Sequence, residues 1–379
     1  MAENIRPKLV LIANTAWNFW NFRRSLIETL LRNNFEIVCL APEDGFEEKL
    51  RGIEGIRFRP LRHLSRKSRS PLSNLRTLTE ITRLLRLEKP SLVVLYTIKP
   101  NIFGAVAARL SGIPAIATVE GLGYTATAPP FFRRLIFSLY RFAFHFVKKV
   151  VFLNEDDRTE FLSHRVATPD KTVVIKGTGV DTALFCPEGK ESPGPVFLYI
   201  GRLLSDKGIR EFVRAADIIK GKNPQTRFQI LGSTDAGNPA SIEAAELLHW
   251  IENHSIEYLG ATHDVRPFIA EAGVVVLPSY REGMPRVLLE GMAMGKPIIT
   301  TNSAGCRETV DEGQNGFIVP SENAGALADA MQRFLNLTPA QQLEMGQKSR
   351  QKAVSEFSSN VILPQYLNLI QALLLHNNR

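Results

Sequence analysis

The stretch that most constrains the fold lies at residues 273–291, where an apolar run, a turn and a helical pattern follow one another. Residues 273–279 are rich in valine and close with a Pro-Ser turn, which is typical of a parallel strand buried on both faces. Apolar residues at helical spacing begin near Val287, and Pro285 favours a helix start because a first-turn residue needs no amide proton. A strand that passes through a turn into a helix predicts a parallel α/β sheet.

The same turn predicts a site for an anion that also carries hydroxyl groups. Free amide protons and the dipole of the helix point into the turn, and both favour negative charge. Glu282 stands in the turn, and Glu290 follows roughly one to two helical turns later. Two carboxylates beside a phosphate-binding turn suit sugar hydroxyls better than phosphate, although such a pair alone is more often a solvated helix face.

Strand and helix patterns alternate along both halves of the chain. In the first half we predict strands at 9–13, 36–41, 92–96, 115–119 and 150–153, with helices at 23–32 and 103–111. In the second half we predict strands at 196–200, 227–231, 298–301 and 316–319, with helices at 209–220, 243–254 and 265–271. This alternation predicts parallel sheets flanked by helices, with ligands at the carboxyl ends of the strands.

A polar segment rich in proline and glycine, residues 181–195, separates the two halves and is the predicted linker. The chain of 379 residues is long enough for two cores, so we expect domains at 1–186 and 187–360, followed by a C-terminal helical segment at 361–379. The first strand–helix turn, residues 14–22, contains no glycine. A dinucleotide fingerprint is therefore absent, which argues against a conventional NAD enzyme.

Positive charge is concentrated in the first half. Residues 1–186 hold 28 Lys and Arg against 17 Asp and Glu, a net +11, and the remainder carries −3, giving +8 for the chain. Such a half suits anionic membranes, nucleic acid or phosphorylated substrates, with a basic surface kept for solubility as the alternative. The three cysteines have no metal spacing, which indicates a reducing compartment, and no stretch approaches the length of a transmembrane helix.

Two cations follow the first strand of the second half, in the sequence Gly201-Arg202 to Lys207-Gly208. Gly201 allows the backbone to approach a ligand closely, and Arg202 and Lys207 supply a planar fork and a point charge. Together the cations could neutralise a diphosphate, both when bound and as it leaves with growing negative charge. Two surface cations beside a turn glycine are the alternative.

Taken together, these motifs resemble those of the retaining glycosyltransferases of family 4. The resemblance is carried by Glu282 and Glu290 in their Pro-Ser…Glu-Gly-Met-Pro context, by the following Gly-Met-Ala-Met-Gly-Lys-Pro-Ile-Ile, and by the Gly-Arg…Lys-Gly element. It implies the GT-B fold, in which two Rossmann-like α/β domains face a cleft that holds a nucleotide-sugar. It also implies that the last helix crosses back to the first domain.

The resemblance assigns roles to individual residues. Arg202 and Lys207 would hold the nucleotide diphosphate, Glu290 the ribose hydroxyls, and Glu282 would face the donor sugar. The donor-binding residues expected on this basis are Gly201, Gly283, Met284, Pro285, Val287 and Glu290, with Pro285 offering no amide. No metal or other cofactor is implied, since the two cations and the helix dipole would do a cation's work, and no Asp-x-Asp triplet or His/Cys cluster is present.

Glu120 is the expected catalytic residue of the first half, at the carboxyl end of the strand at 115–119. Many members of the family carry histidine there, so this chain departs from the pattern. A carboxylate could stabilise positive charge on the anomeric carbon or fix a sugar hydroxyl, while Gly121 and Gly123 are alternatively simple turn residues. Glu-Gly-Leu-Gly, with residues 96–101 upstream, resembles a subgroup that adds hexose or N-acetylhexosamine to undecaprenyl-diphosphate-linked saccharides, including those that act on lipid-linked diacetylbacillosamine.

The acceptor side is indicated by basic and aromatic segments. Residues 131–149 contain five Lys and Arg, no acid and many aromatics, which predicts an interfacial helix on an anionic membrane or, alternatively, a core helix with snorkelling basic ends. A second basic cluster is either a loop near an acceptor diphosphate or a solvated charge run; it contains Arg62, Arg66, Lys67 and Arg69. Asn18, Asn21 and Arg23 could touch acceptor or phosphate.

The resulting hypothesis is a retaining, metal-independent transferase that moves a hexosyl group, in particular an N-acetylhexosaminyl group, from a UDP-sugar to a polyprenyl-diphosphate-linked saccharide. It would work in the cytoplasm, peripheral on the inner face of the plasma membrane. The alternatives are a UDP-sugar epimerase of the same architecture and a non-catalytic nucleotide-sugar-binding subunit. A nucleic-acid partner is not expected, because no recognised nucleic-acid motif is present.

Overall fold

The structure is a computed structural model that describes residues 6–65, 68, 70–122, 129–187, 195–235, 237–253 and 256–377. The chain divides into two compact units, one formed by Met1–Thr178 with Ile362–Arg379 and the other by Gly179–Val361. The domain limits expected from the sequence, 186 and 360, lie near these divisions. Residues 188–194 of the predicted linker fall outside the described residues.

The first unit is built on a seven-stranded parallel sheet with the order β3-β2-β1-β4-β5-β6-β7. Its strands are β1 (Lys8–Ile12), β2 (Glu36–Ala41), β3 (Ile56–Pro60), β4 (Leu92–Tyr96), β5 (Ala115–Val119), β6 (Lys149–Phe152) and β7 (Thr172–Val174). The order reverses between β1 and β4, which are neighbours in the sheet but not in the chain. Open α/β sheets bind ligands at such a reversal, outside the carboxyl ends of the strands.

Helices cover both faces of this sheet. They are α1 (Ala16–Asn18), α2 (Arg24–Arg32), α3 (Glu47–Arg51), α4 (Pro71–Glu88), α5 (Ala105–Leu110), α6 (Pro130–Phe144) and α7 (Glu155–Ser163). A π-helical stretch, Phe19–Arg23, joins α1 to α2, and a second one, Pro100–Gly104, leads into α5. Side-chain caps fix several starts: Thr15 accepts from the amide of Asn18, and Ser70 precedes Pro71 as the cap of α4.

The second unit repeats the plan with a six-stranded parallel sheet of order β10-β9-β8-β11-β12-β13. Its strands are β8 (Val196–Ile200), β9 (Arg227–Leu231), β10 (Glu257–Tyr258), β11 (Val274–Leu277), β12 (Ile298–Thr301) and β13 (Gly316–Val319). Its helices are α8 (Ile209–Lys222), α9 (Ala244–Glu252), α10 (Arg266–Glu271), α11 (Arg286–Ala293), α12 (Ala324–Leu335) and α13 (Pro339–Lys352). The strand order reverses between β8 and β11.

The last helix, α14 (Ser359–Asn377), contains the division between the units, and its part from Ile362 onward belongs to the first. There it joins the core on one face of the first sheet, where Ile362, Leu363, Tyr366 and Ile370 pack with β1 and β2. The opposite face packs against α4, α5 and α6. Burial on both faces explains why these strands are continuous apolar runs rather than alternating ones.

The predicted α/β class, with two parallel-sheet domains of Rossmann type, is confirmed. Seven predicted strands have the bounds that the structure gives, because β-branched runs closed by turn residues mark strand ends clearly. The short strands β3, β7 and β10 were not predicted, and the helix predicted at 23–32 is preceded by α1 and a π-helical stretch. Within the described residues, no helix combines the length and apolarity that a membrane span requires.

Candidate functional site

The carboxyl ends of β8, β9 and β10 form a surface of closely packed backbone in the second unit. The amide of Gly201 donates to the carbonyl of Leu231 at 3.0 Å, and that of Gly232 donates to Gly260 at 2.7 Å. A Cβ atom on Gly232 would lie 1.8 Å from the carbonyl oxygen of Gly201. Only glycine at 232 therefore allows the turns after β8 and β9 to meet, and Gly201 lies at this contact.

The turn after β8 is docked on the turn after β11, across the reversal in strand order. A one-turn 3-10 helix, Ser205–Lys207, ends at Gly208 with a φ of +70°, where an added Cβ would lie 2.0 Å from the carbonyl oxygen of Pro278. The amide of Tyr280 donates to the carbonyl of Asp206 at 2.9 Å. This docking brings Lys207 beside the acidic turn.

Lys207 and Glu282 form an ion pair at this point. The Nζ of Lys207 donates to Oε1 of Glu282 at 2.5 Å, and the two side chains are 19% and 14% exposed. The amide of Glu282 donates to the carbonyl of Ala304 at 3.0 Å, and Gly305 approaches so closely that a Cβ there would lie 2.6 Å from the Glu282 carbonyl oxygen. The turn that carries Glu282 is thus held from two sides.

Two buried groups beside this pair were not identified from the sequence. Burial raises the pKa of Tyr199 well above its ordinary value, with Glu282 and Asp206 adding to the rise and Arg202 opposing it. Burial, followed by the charge of Glu282, raises the pKa of the Cys306 thiol to about 11. Both groups are therefore neutral at physiological pH. The one signal in the sequence for these groups was Tyr199, which lies close to the strand-end glycine Gly201.

Arg202 has a different carboxylate partner from Lys207. Its Nη1 donates to Oδ2 of Asp235 at 2.8 Å, and about half of the side chain is exposed. The hydroxyl of Tyr199 donates to the carbonyl of Arg202 at 3.1 Å and so fixes the start of the turn. The structure therefore places both predicted cations on one turn, Arg202 at its exposed rim and Lys207 in its interior.

Glu290 lies on α11, which begins at Arg286 with Pro285 as its N-terminal flanking residue. The Nε of Arg286 donates to Oε1 of Glu290 at 2.7 Å, and Glu290 is only 8% exposed. Burial raises the pKa of Glu290, and Asp264 adds to this, while Arg286 opposes it. The carboxylate is thus desolvated and held by the guanidinium of Arg286.

The remaining predicted donor residues belong to the same turn and helix. Met284 and Val287 are half-buried and pack against the core. The carbonyl oxygen of Gly283 lies close to Gly305 of the adjoining loop. Gly291, which the sequence left unexplained, lets α11 lie close to β11, since a Cβ there would be 2.9 Å from Cγ2 of Val275.

Glu120 anchors a second cluster, in the first unit at the carboxyl end of β5. Its carboxylate accepts from the guanidinium of Arg23 at 2.5 Å and from Nδ2 of Asn18 at 3.2 Å. The guanidinium also stacks on the ring of Tyr96, with 4.3 Å from Cζ to the ring centroid. The sequence hypothesis that Arg23 and Asn18 reach acceptor or phosphate is wrong in this structure, because Arg23 is 1% exposed and both residues bind Glu120.

Helix α6 has two apolar faces. One is buried in the core through Phe137, Tyr140, Ala143 and Phe144. The other is an exposed row at helical spacing that we call the α6 stripe, formed by Phe131, Phe132, Leu135, Leu139 and Phe142. The buried face fits the core-helix interpretation, whereas the interfacial-helix interpretation, for which the α6 stripe is the available face, stays a prediction. In the second basic cluster, Arg66, Lys67 and Arg69 lie outside the described residues, as does Gly123.

No set of three His, Cys, Asp or Glu side chains within the described ranges is arranged to hold a metal ion. The other predicted turn residue, Asn21, donates from Nδ2 to the carbonyl of Trp17 at 3.1 Å on the exposed side of the helix.

Comparison with known proteins gives matches over both halves of the chain. Residues 8–154 match the family model described as glycosyl transferase 4-like, and residues 194–337 match glycosyl transferases group 1. The N,N'-diacetylbacillosaminyl-diphospho-undecaprenol alpha-1,3-N-acetylgalactosaminyltransferase of Campylobacter jejuni is 28% identical over 96% of this chain and 98% of that protein. The UDP-Gal:alpha-D-GlcNAc-diphosphoundecaprenol alpha-1,3-galactosyltransferase of Escherichia coli is 27% identical over 65% of this chain and 67% of its own.

Solved structures share the fold at lower identity. Sucrose-phosphate synthase from Thermosynechococcus elongatus superposes with a TM-score of 0.84 at 21% identity, covering 98% of this chain and 100% of that one. Anabaena Alr3699/HepE in complex with UDP-glucose gives a TM-score of 0.80 at 18% identity, covering 97% and 100%.

Proposed function

Since the chain belongs to the GT-B glycosyltransferases of family 4, we propose that it is a retaining, metal-independent transferase. It would move a hexosyl group, in particular an N-acetylhexosaminyl group, from a UDP-sugar to a polyprenyl-diphosphate-linked saccharide. The observation that carries this proposal is the Lys207–Glu282 ion pair at the reversal in strand order between β8 and β11. α/β sheets bind ligands at such a reversal, so Lys207 could bind a diphosphate there and Glu282 could bind a sugar hydroxyl.

The donor site is proposed from the chemistry of the second unit. Lys207 is largely removed from solvent, so its charge acts on a nearby diphosphate with little screening. The first amides of α11 and the backbone around Gly201 and Gly283 would complete the cradle, with Arg202 at the rim. Glu290, desolvated and tied on one side to Arg286, would accept from the ribose hydroxyls.

The nucleotide is proposed to be uridine diphosphate. The E. coli relative is named for a UDP-galactose donor, and HepE, which shares the fold, was solved with UDP-glucose. The N-acetylhexosamine is proposed from the C. jejuni relative, which is matched over almost its whole length.

Transfer would proceed as follows. The bond between the anomeric carbon and the phosphate oxygen breaks, and its electron pair stays with UDP, whose growing charge Lys207, Arg202 and the α11 amides stabilise. The acceptor hydroxyl attacks from the same face and gives its proton to the leaving phosphate oxygen. Glu282 orients the sugar through a hydroxyl, and Glu120 stabilises positive charge on the anomeric carbon. UDP and the retained glycoside are the products.

The acceptor is proposed to lie in a membrane surface. Both curated relatives named above act on undecaprenol-diphosphate-linked saccharides by their names. In this chain the α6 stripe presents three phenylalanines to solvent, and the residues up to 186 carry the net positive charge. Apolar side chains backed by a basic domain bind anionic bilayers. We therefore place the protein peripherally on the inner face of the plasma membrane.

The experiment that tests the proposal is incubation of purified protein with a panel of UDP- and GDP-sugars and a short polyprenyl-diphosphate-linked acceptor. We expect UDP release that requires the acceptor, with one hexosamine donor preferred, and a product whose anomeric proton coupling shows retention. An epimerised nucleotide-sugar without transfer would favour the epimerase alternative. Donor binding without turnover on any acceptor would favour a non-catalytic subunit.

A further inference from the structure

Arg23 is one of the largest fully buried side chains among the described residues. Removing a guanidinium from water is costly unless a partner and packing compensate for its lost hydration. Glu120 is the carboxylate that pairs with it, and Arg23 is the last residue of the π-helical stretch after β1. π-helical turns occur often at functional sites, and this one turns a cation into the sheet edge where the reaction is proposed to occur.

We infer that Arg23 is the positioning residue for Glu120: it holds the carboxylate in one orientation, and it does so without touching substrate. The inference rests on the proposed function in taking Glu120 as a group that faces the reacting sugar. An arginine that is 1% exposed cannot contact a phosphate or an acceptor, so any effect it has on transfer passes through its neighbours.

The contacts around the carboxylate divide into a held side and an open side. Oε1 accepts from Arg23, and Oε2 accepts from Nδ2 of Asn18 at 3.2 Å. The Glu120 side chain nevertheless keeps 19% of its surface exposed. Two donors from the segment after β1 therefore hold Glu120 from behind, and the remaining surface is free to face a ligand.

The side chain of Arg23 is itself fixed by its neighbours. Its guanidinium lies 4.3 Å above the ring centroid of Tyr96 on β4. Tyr366 of α14 donates its hydroxyl to the carbonyl of Gly177 at 3.0 Å and contributes to the electrostatics of Arg23. Burial alone would lower the pKa of Arg23, but Glu120, Tyr366 and Tyr96 together raise it. Helix α14 thus helps to hold Arg23, which in turn holds Glu120.

Such support is what a carboxylate at this place requires. Positive charge that develops on an anomeric carbon is stabilised by an anion that is already fixed and needs no reorganisation. A carboxylate that could rotate freely would first have to be reoriented, which adds to the barrier. A glutamate at position 120 therefore depends on a partner far away in the sequence.

A double-mutant cycle in the full-length protein tests the inference. Arg23→Lys keeps the charge but loses the planar fork, and Glu120→Gln removes the carboxylate while keeping its shape. For Glu120→Gln we expect kcat for sugar transfer to fall about 100-fold with donor KM little changed. Arg23→Lys should lower kcat about 10-fold or more with donor KM little changed, because the point charge of lysine does not fix the orientation of the carboxylate as the planar fork of arginine does.

The decisive value is the double variant. If Arg23 acts through Glu120, kcat of Arg23→Lys/Glu120→Gln should match that of Glu120→Gln within about twofold, because the second change removes support from a group already lost. If the factors by which the two single substitutions lower kcat multiply in the double variant, the inference is overturned, since Arg23 would then act independently through the fold or the substrate. An Arg23→Lys variant with wild-type kcat would overturn it as well.

A matched control comes from another carboxylate of the same unit. Glu88 is 4% exposed and pairs with Arg57, Arg59 and Lys8, the first residue of β1 and thus at the opposite end of that strand. Glu88→Gln should lower thermal stability with kcat unchanged, which separates a loss of fold from a loss of positioning. A wild type that transfers no sugar would contradict the proposed function, whereas an active wild type with multiplying losses contradicts this inference alone.

Discussion

Replacing Lys207 with methionine probes the ion pair on which the proposed donor site depends. Methionine keeps the length and apolar stem of lysine and removes only the charge. In the structure the Nζ of Lys207 lies 2.5 Å from Oε1 of Glu282, with 19% and 14% of the two side chains exposed. The substitution therefore removes a shielded cation and leaves a carboxylate that is mostly withdrawn from water.

The expected magnitudes differ for stability and for catalysis. Leaving one partner of a largely buried charged pair unmatched costs about 1–3 kcal/mol, and Glu282 keeps further contacts that hold the loss toward the lower end. For a domain of this size that corresponds to a melting temperature lower by roughly 2–4 °C per kcal/mol. Losing a fixed charge that faces a leaving diphosphate should lower kcat about 10²- to 10³-fold, or roughly 3–4 kcal/mol in the barrier.

The assay measures UDP release and lipid-linked product with the preferred donor, beside thermal unfolding of the same samples. Lys352→Met is the matched control, because Lys352 is 12% exposed and pairs with Asp311 at 2.9 Å and Glu356 at 3.1 Å in the same unit. We expect a comparable fall in melting temperature for the control and an unchanged kcat. A Lys207→Met variant with kcat within about threefold of wild type would refute the role assigned to the pair.

Three further changes have defined outcomes. Glu290→Gln should weaken donor binding about tenfold. Without donor at pH 7 the variant should unfold at the same temperature as the wild type or at a higher one, because burial raises the pKa of Glu290 and its ionised form therefore destabilises the fold. As the pH falls toward 4, the stability of the wild type should rise relative to that of the variant. Gly208→Ala should cost at least about 1–2 kcal/mol in unfolding free energy and reduce kcat, since φ is +70° and the Cβ meets the Pro278 carbonyl. Phe131→Ser with Phe142→Ser should reduce sedimentation with anionic vesicles severalfold, whereas Leu343→Ser, equally exposed on α13, should not.

Much of the fold followed from local patterns. The strands at 36–41, 115–119 and 298–301 were predictable because each is an apolar β-branched run closed by polar or turn residues. Short edge strands such as β7 were not, since three residues carry too little periodicity to distinguish a strand from a loop. Composition mattered as well as length, because the missed strand β3 has as many residues as β4 but carries two arginines and a proline.

The donor side of the site was predictable as a set of residues but not as a set of partners. The sequence indicated Arg202, Lys207, Glu282 and Glu290 as groups that act together. It could not indicate that Lys207 would contact Glu282 while Arg202 would contact Asp235, because these pairs depend on how separate turns dock. The close approach at Gly208, which is a matter of backbone conformation, decides that docking.

The support of Glu120 was beyond sequence reasoning. Arg23 was predicted to touch acceptor or phosphate from the first strand–helix turn, whereas the structure buries it. Its burial follows from a π-helical stretch that no periodic pattern signals, from the ring of Tyr96, and from a C-terminal helix that packs on the first sheet. A buried ion pair between distant segments is visible only once the strand ends are brought together.

The central claim is that side-chain cations and helix amides, without a metal ion, stabilise the departing diphosphate. Turnover of the preferred UDP-sugar by protein treated with a strong chelator tests it most directly, with Lys207→Met measured beside the wild type. The account predicts that the chelator leaves wild-type kcat unchanged and that the variant loses about two orders of magnitude with or without it. Wild-type turnover that stops in chelator and returns with added Mg²⁺ or Mn²⁺ would contradict the account.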